Sequence, residues 1–139
     1  CYFDMLAGKY DESNDILNCK IAEYTKAVVD GRPCFHISLV MDVSPNCDCH
    51  AENDLPIVPD VGMFASFDPV ALDVACADAV NAQPIIQGSV LTDPDHHGHQ
   101  HECRDHFHFS HPNTDWKVCV EHAEKLGLGS QEYELIEIK

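Results

Sequence analysis

Positive charge is what this chain has least of. Eight lysines and arginines stand against 24 aspartates and glutamates in 139 residues, a formal net charge of −16. A field of that sign repels polyanions, so it argues against DNA, RNA or an acidic membrane surface as a partner. A metal cation, a cationic partner or a small protein suits it, and short of any of these it is a solvated surface that keeps the protein in solution. Long hydrophobic runs are missing too: none approaches the roughly 20 residues of a membrane-spanning helix. The first residues show no basic stretch followed by an apolar one, so no targeting segment is read, and a cytoplasmic location is expected. There is no phosphate-binding glycine loop, no G-x-G-x-x-G, no G-x-S-x-G and no H-E-x-x-H, which removes the usual signs of nucleotide binding, serine hydrolysis and zinc proteolysis. No C-x-x-C-x-x-C-x-x-x-C-P run is present, so this piece cannot hold a ferredoxin-type iron–sulfur cluster in the usual way.

What is present is one domain's worth of chain, 45% hydrophobic and long enough for a core. The eight cysteines are irregularly spaced within ordinary helix and strand patterns, which favours reduced thiols over a stapled scaffold. The chain begins with Cys1, as expected of a fragment or processed product of something longer.

From Ser13 to Asp30 the apolar residues Leu17, Ile21, Tyr24 and Val28 step by four, three and four. This predicts an amphipathic helix with that stripe facing inward, capped by Ser13 or Asp11 and stopped by Gly31 and Pro33. Cys34 to Val43 reads as a strand in which Phe35, Ile37, Leu39, Met41 and Val43 alternate with polar or small residues. A polar loop with Pro56 and Pro59 leads to a second strand, Val61 to Ala65. Asp68-Pro69 then opens an alanine-rich helix running to about Val80, expected to pack closely between neighbours. Residues 81–113 have no convincing period and read as a long histidine-rich loop. A helix from about Thr114 to Gly127 or Gly129 and a strand from Tyr133 to Ile138 complete the chain. The expected fold class is α/β, a layered sheet flanked by helices in a single compact domain spanning residues 1–139.

The candidate chemistry is metal binding. Ser44-Pro45-Asn46-Cys47-Asp48-Cys49-His50 puts two thiols, a carboxylate and an imidazole on a proline-led turn after a strand, and zinc and iron favour such donors. A C-x-C pair is a weaker signal than a C-x-x-C knuckle, and two inert loop thiols are the plain alternative. Cys103, His106, His108 and His111, within a stretch that also holds His96, His97, His99 and His101, form a second concentration of ligands. His106 and His108 would share one side of an extended chain, although the stretch also fits a solvated loop that binds metal only incidentally. Asp60, just before the second strand, is a further candidate ligand or general base. Asp68 reads mainly as a helix cap, and Asp73 as a carboxylate that would need a partner if buried.

Phe35-His36-Ile37, Asp42-Val43-Ser44-Pro45-Asn46-Cys47-Asp48-Cys49, Pro56-Ile57-Val58-Pro59-Asp60-Val61-Gly62, Ala65-Ser66-Phe67-Asp68-Pro69-Val70-Ala71-Leu72-Asp73 and His111-Pro112 with Asp115-Trp116 occur in this order. The ordered set resembles domain-of-unknown-function family 362, over nearly all of the chain. Such proteins are often labelled iron–sulfur cluster-binding or ferredoxin-linked. The resemblance implies a C-terminal portion whose 4Fe–4S clusters belong to an upstream ferredoxin-like module absent here. Two departures stand out: His50-Ala51 follows Cys49 where the family often has an aromatic residue, and the Pro94–His111 loop is unusually rich in histidine.

The expectation is therefore a metal-binding domain of an iron–sulfur-associated redox protein of unknown reaction. Zinc or iron would sit at the C-x-C turn, with completing ligands drawn from His50, Asp60, Cys103, His106, His108 and His111. A ferredoxin-like module or redox protein is the expected partner. The alternatives are a metal-dependent enzyme using the turn with Asp60 or His111, and a non-catalytic acidic interaction module.

Overall fold

Capping chemistry sets the first helix. In the computed structural model, which describes residues 13–47, 50, 51, 53–92 and 105–138, Ser13 is extended and its hydroxyl accepts the Ile16 amide at 3.4 Å. Helix α1 (Asn14–Val29) follows, and Gly31 at φ +69° turns the chain away. The periodicity of the apolar stripe is right but its phase is not. Leu17, Ile21, Tyr24 and Val28 face outward, Tyr24 73% exposed, while Ala22, 2% exposed, makes the buried contact. The inward row therefore lies one residue on, at Asn18, Ala22, Thr25 and Val29. Small Ala22 lets α1 come close to the last helix, and Asn18 Nδ2 donates to Thr114 Oγ1 at 3.3 Å and to the Asp115 carbonyl at 2.9 Å.

Strands β1 (His36–Val40) and β2 (Gly62–Ser66) pair antiparallel, with Ile37 opposite Ala65 and Leu39 opposite Met63. The alternation is as expected, and the structure shows which face it buries. His36, Ser38 and Val40 point inward, Val40 6% exposed, whereas Phe35, Ile37, Leu39 and Met41 lie outside, Leu39 62% exposed. Met63 and Phe67 extend the uncovered face, where the Phe35 and Phe67 rings lie 5.0 Å apart at a tilt. Alternation alone gives two faces and does not say which one meets the core.

Asp68 launches helix α2 (Pro69–Asn81): its Oδ1 accepts the amides of Val70 at 2.9 Å and Ala71 at 3.0 Å, with Pro69 at the first position. As expected, this alanine-rich helix is buried over much of its surface, by Val70, Ala71, Leu72, Ala75, Ala77 and Val80. It packs against both strands and shares a cluster with Ala22, Val120 and Ala123. A second cluster joins Val40, Ile57, Val58, Val80 and Leu91. The loop before β2 is held into it by backbone bonds from Ile57 to Val43 at 2.8 Å and from Ile86 to Ile57 at 2.9 Å.

The stretch read as a long loop contains a 3-10 turn, Val90–Thr92, and helix α3 (His106–Ser110). Asp105 caps α3 through the amides of Phe107 and His108. One helical turn is too short to leave a period, so the cap was its only trace. Being helical, this segment does not place His106 and His108 on one side of an extended chain. Helix α4 (Trp116–Lys125) is capped by Asp115 and ends at Gly127, φ +75°, with Gly127 bonded to Glu124 and Leu128 to Ala123, the paired bonds of a Schellman ending. The final segment does not form the expected strand and the sheet remains two-stranded. Tyr133 instead donates its hydroxyl proton to Asp78 at 2.9 Å, and Leu135, Ile136 and Ile138 are exposed. The chain is an α/β domain with its helices packed on one face of the strand pair.

Candidate functional site

The turn after β1 is built by side chains that tie its backbone. Ser44 Oγ donates to the Asn46 carbonyl at 3.0 Å, Asn53 brackets Asn46 from both sides at 3.4 and 3.3 Å, and the His50 amide donates to the Cys47 carbonyl at 2.9 Å. Cys47 is exposed on this turn. The far segment reaches it: His111 Nε2 lies 2.6 Å from the Pro45 carbonyl, 66 residues away in sequence. A carbonyl can only accept, so Nε2 carries the proton and Nδ1 is left as the lone-pair nitrogen of the neutral ring. Next to this contact is a cavity of about 270 Å³, lined by Ser44, Pro45, Ile57, Phe107, His111 and Trp116 among others.

The other candidate ligands divide sharply. His106 is buried and tied to α2's end, its amide donating to Asn81 Oδ1 at 2.8 Å and its Nε2 meeting the Gln83 carbonyl at 3.0 Å. His108 Nδ1 meets the Thr114 carbonyl at 3.0 Å. Asp60 Oδ1 accepts the amide of Asp42 at 2.9 Å and so holds a non-glycine residue at φ +50°. Asp60 does not line the cavity beside His111. Cys49 and Cys103 lie outside the described residues. Among the described residues, no three His, Cys, Asp or Glu side chains are grouped so as to hold a metal ion. His111 is a distant candidate that is bonded directly to the turn.

The interior holds a second constellation that sequence reasoning did not assemble. A crevice of about 340 Å³ between β1, α2 and α4 is lined by Asp73, Cys76 and Cys119 together with Val40, Phe107 and Trp116. Desolvation in the crevice raises the Asp73 pKa, partly opposed by the charge of nearby His36, although the residue itself is exposed. Burial also raises Cys76, against a hydrogen bond with Ser38 and with the Asp73 charge adding to the rise. Cys119 is raised by burial and then by Asp73 and Cys19. Both shifts favour the protonated thiol, the less nucleophilic form. Among the described residues, no disulfide joins Cys19, Cys34, Cys47, Cys76 or Cys119. The trace in the sequence was the i, i+3 pair Asp73 and Cys76 in an alanine-rich helix.

Asp105 anchors the wall between the two cavities. Burial works against its carboxylate, but the His108 amide, the Trp116 indole at 3.0 Å and the Lys117 ammonium at 3.5 Å outweigh it and hold the pKa below the ordinary range.

A family model described as a domain of unknown function, DUF362, matches residues 4–78. The chain belongs to this family. The DUF362 match takes in α1, both strands, the cysteine turn and most of α2, and stops before the histidine-rich segment that supplies His111. No curated protein matches the chain, and no solved structure does. Among the described residues, no helix is long and apolar enough to cross a membrane.

Proposed function

We propose that this DUF362 chain is a metal-binding domain of an iron–sulfur-associated redox protein, with zinc or iron held at the Cys47–Cys49 turn. The observation that supports this most is the 2.6 Å bond from His111 to the Pro45 carbonyl. Histidines that ligate metals commonly donate their other ring N–H to a carbonyl, which orients the ring and sharpens the remaining nitrogen as a ligand. The donors fit such an ion in kind: exposed Cys47, with Cys49, supplies soft thiolate and His111 Nδ1 supplies imidazole. His50 sits on the same turn. A bound ion there would supply Lewis acidity or a structural clip, while the chain's own work is to hold the turn through Ser44, Asn53 and His111. Electron transfer falls to 4Fe–4S clusters in a ferredoxin-like module, since this chain has no cysteine run to hold one.

The test is elemental analysis of purified protein by plasma mass spectrometry. Zinc or iron is expected near one ion per chain, lost in the Cys47→Ser, Cys49→Ser double variant, reduced in His111→Ala and unchanged in Cys76→Ser. Equal metal in the parent and the double variant removes the proposal. An enzyme with Asp60 as acid or base is less well supported, because that carboxylate is engaged by the Asp42 amide.

A further inference from the structure

The bonds that join α1 to α4 and its leading turn climb both segments in step. Asn14 Nδ2 donates to the Asn113 carbonyl at 2.8 Å, Asn18 Nδ2 to the Asp115 carbonyl at 2.9 Å, and His122 Nε2 meets Glu23 Oε1 at 3.2 Å. The two helices therefore run parallel, and positions between Asn18 and Glu23 lie level with those between Asp115 and His122. Cys19 and Cys119 occupy these two intervals. Cys19 precedes Ala22 by three residues and Glu23 by four, which puts it on the face of α1 that meets α4. Cys119 follows Asp115 by four and precedes His122 by three, which puts it on the face of α4 that meets α1. It packs against the cluster that contains Ala22.

Both are free thiols and only half-buried, so a small reagent can reach them. Packed helices lie about 8–10 Å apart axis to axis with each Cα about 2.3 Å off its axis, which brings facing Cα atoms to about 3.4–5.4 Å at closest. Small Ala22 at the contact favours the near end. A disulfide needs Cα atoms about 4.4–6.8 Å apart. Cys19 is also close enough for its charge to act on Cys119. The rival partner is Cys76, which lines the same crevice as Cys119 but sits on α2 and is hydrogen-bonded with Ser38.

We propose that Cys19 and Cys119 are a redox-sensitive pair, which a low-molecular-weight disulfide converts to an intramolecular disulfide that clips α1 to α4. One cysteine, deprotonated, attacks a sulfur of the small disulfide, so that a mixed S–S bond forms and one small thiolate leaves. The thiolate of the second cysteine then attacks the protein-side sulfur, closing the Cys19–Cys119 bond and expelling the other small thiolate. Two electrons pass from the protein to the small disulfide, and the two protons end on the released thiols. Burial, Asp73 and Cys19 hold Cys119 in its protonated form, so exchange quickens as pH rises. The step does not involve the cysteine turn and needs no metal.

The experiment equilibrates the folded chain with mixtures of reduced and oxidised glutathione, blocks the remaining thiols by alkylation and identifies linked peptides by mass spectrometry. A Cys19–Cys119 peptide is expected in the parent and in Cys76→Ser, with Cys19→Ser and Cys119→Ser as blanks. The folded chain should reach half-linkage at a glutathione ratio less oxidising by about tenfold or more than the chain in urea, because only the fold holds the two sulfurs together. Absence of the Cys19–Cys119 peptide, Cys119 linked to Cys76 in its place, or the same half-point folded and in urea overturns the proposal.

Discussion

On the side of the β1–β2 pair that α2 covers, the chain presents His36, Ser38, Val40, Phe64 and Ser66; on the open side it presents Ile37, Leu39, Met63 and Ala65, with Phe35 and Phe67 at the end of the strands. The more apolar side is the one left in water. The difference follows from what α2 brings to the contact. Its buried residues are Val70, Ala71, Leu72, Ala75, Ala77 and Val80, most of them small, and half-buried Cys76 among them is hydrogen-bonded by Ser38 of the covered face. A contiguous uncovered apolar face is unusual on a soluble protein, and α1 shows the same inversion with Leu17, Ile21, Tyr24 and Val28 outside.

The comparison can be broken at several points. Asp68→Ala should have the largest effect, about 3 kcal/mol, because this carboxylate caps α2 and also accepts the Ser130 amide at 2.9 Å. Urea denaturation measures it, and a loss under about 1 kcal/mol would show that the cap does not hold α2 on the inner face. Val40→Ala, on the covered face, should cost about 2 kcal/mol for lost burial and a residual cavity.

Asp73→Asn sharpens the contrast by pH. The raised pKa means that the folded chain holds the Asp73 proton more tightly than the unfolded chain does. Its contribution to stability is therefore fully present below the unfolded value near 3.9 and is lost as pH rises through the raised folded value. Asparagine cannot ionise, so the variant should be more stable than the parent at neutral pH, and the two should converge in acid. Equal thermal midpoints of variant and parent at both pH 7 and pH 3 would count against a desolvated carboxyl. The smallest effect belongs to the open face: Leu39→Ala should change stability by less than about 0.5 kcal/mol. A loss there as large as for Val40→Ala would mean that something covers this face in solution.

Much of the fold was legible wherever the rule at work is local. Ser13 and Asp68 cap their helices through bonds spanning two or three residues, Gly31 and Gly127 take up left-handed turns, and the strands lie where alternation placed them. Short α3 was not legible, nor was the fate of Tyr133–Ile138, whose strand-like pattern found no partner edge. At the cysteine turn, residue chemistry made Cys47 and His111 candidates, yet nothing in their spacing foretold that His111 would donate to Pro45 across 66 residues. His106, His108 and Asp60 were candidates beside it, and each proved to be tied to backbone elsewhere.

By itself, then, the sequence determined where the capped helices start, the periods of their apolar residues, the acidic field and which side chains have donor chemistry. These depend on neighbours a few residues away or on simple sums. Only the tertiary structure decided which face of α1 and β1 is buried, that Asp73 and His36 come within electrostatic reach of each other, and that His111 meets the cysteine turn. Period specifies a stripe, but its direction depends on the shape and polarity of what packs against it. Here the small alanine at position 22 is buried while the larger Leu17, Ile21, Tyr24 and Val28 are left outside.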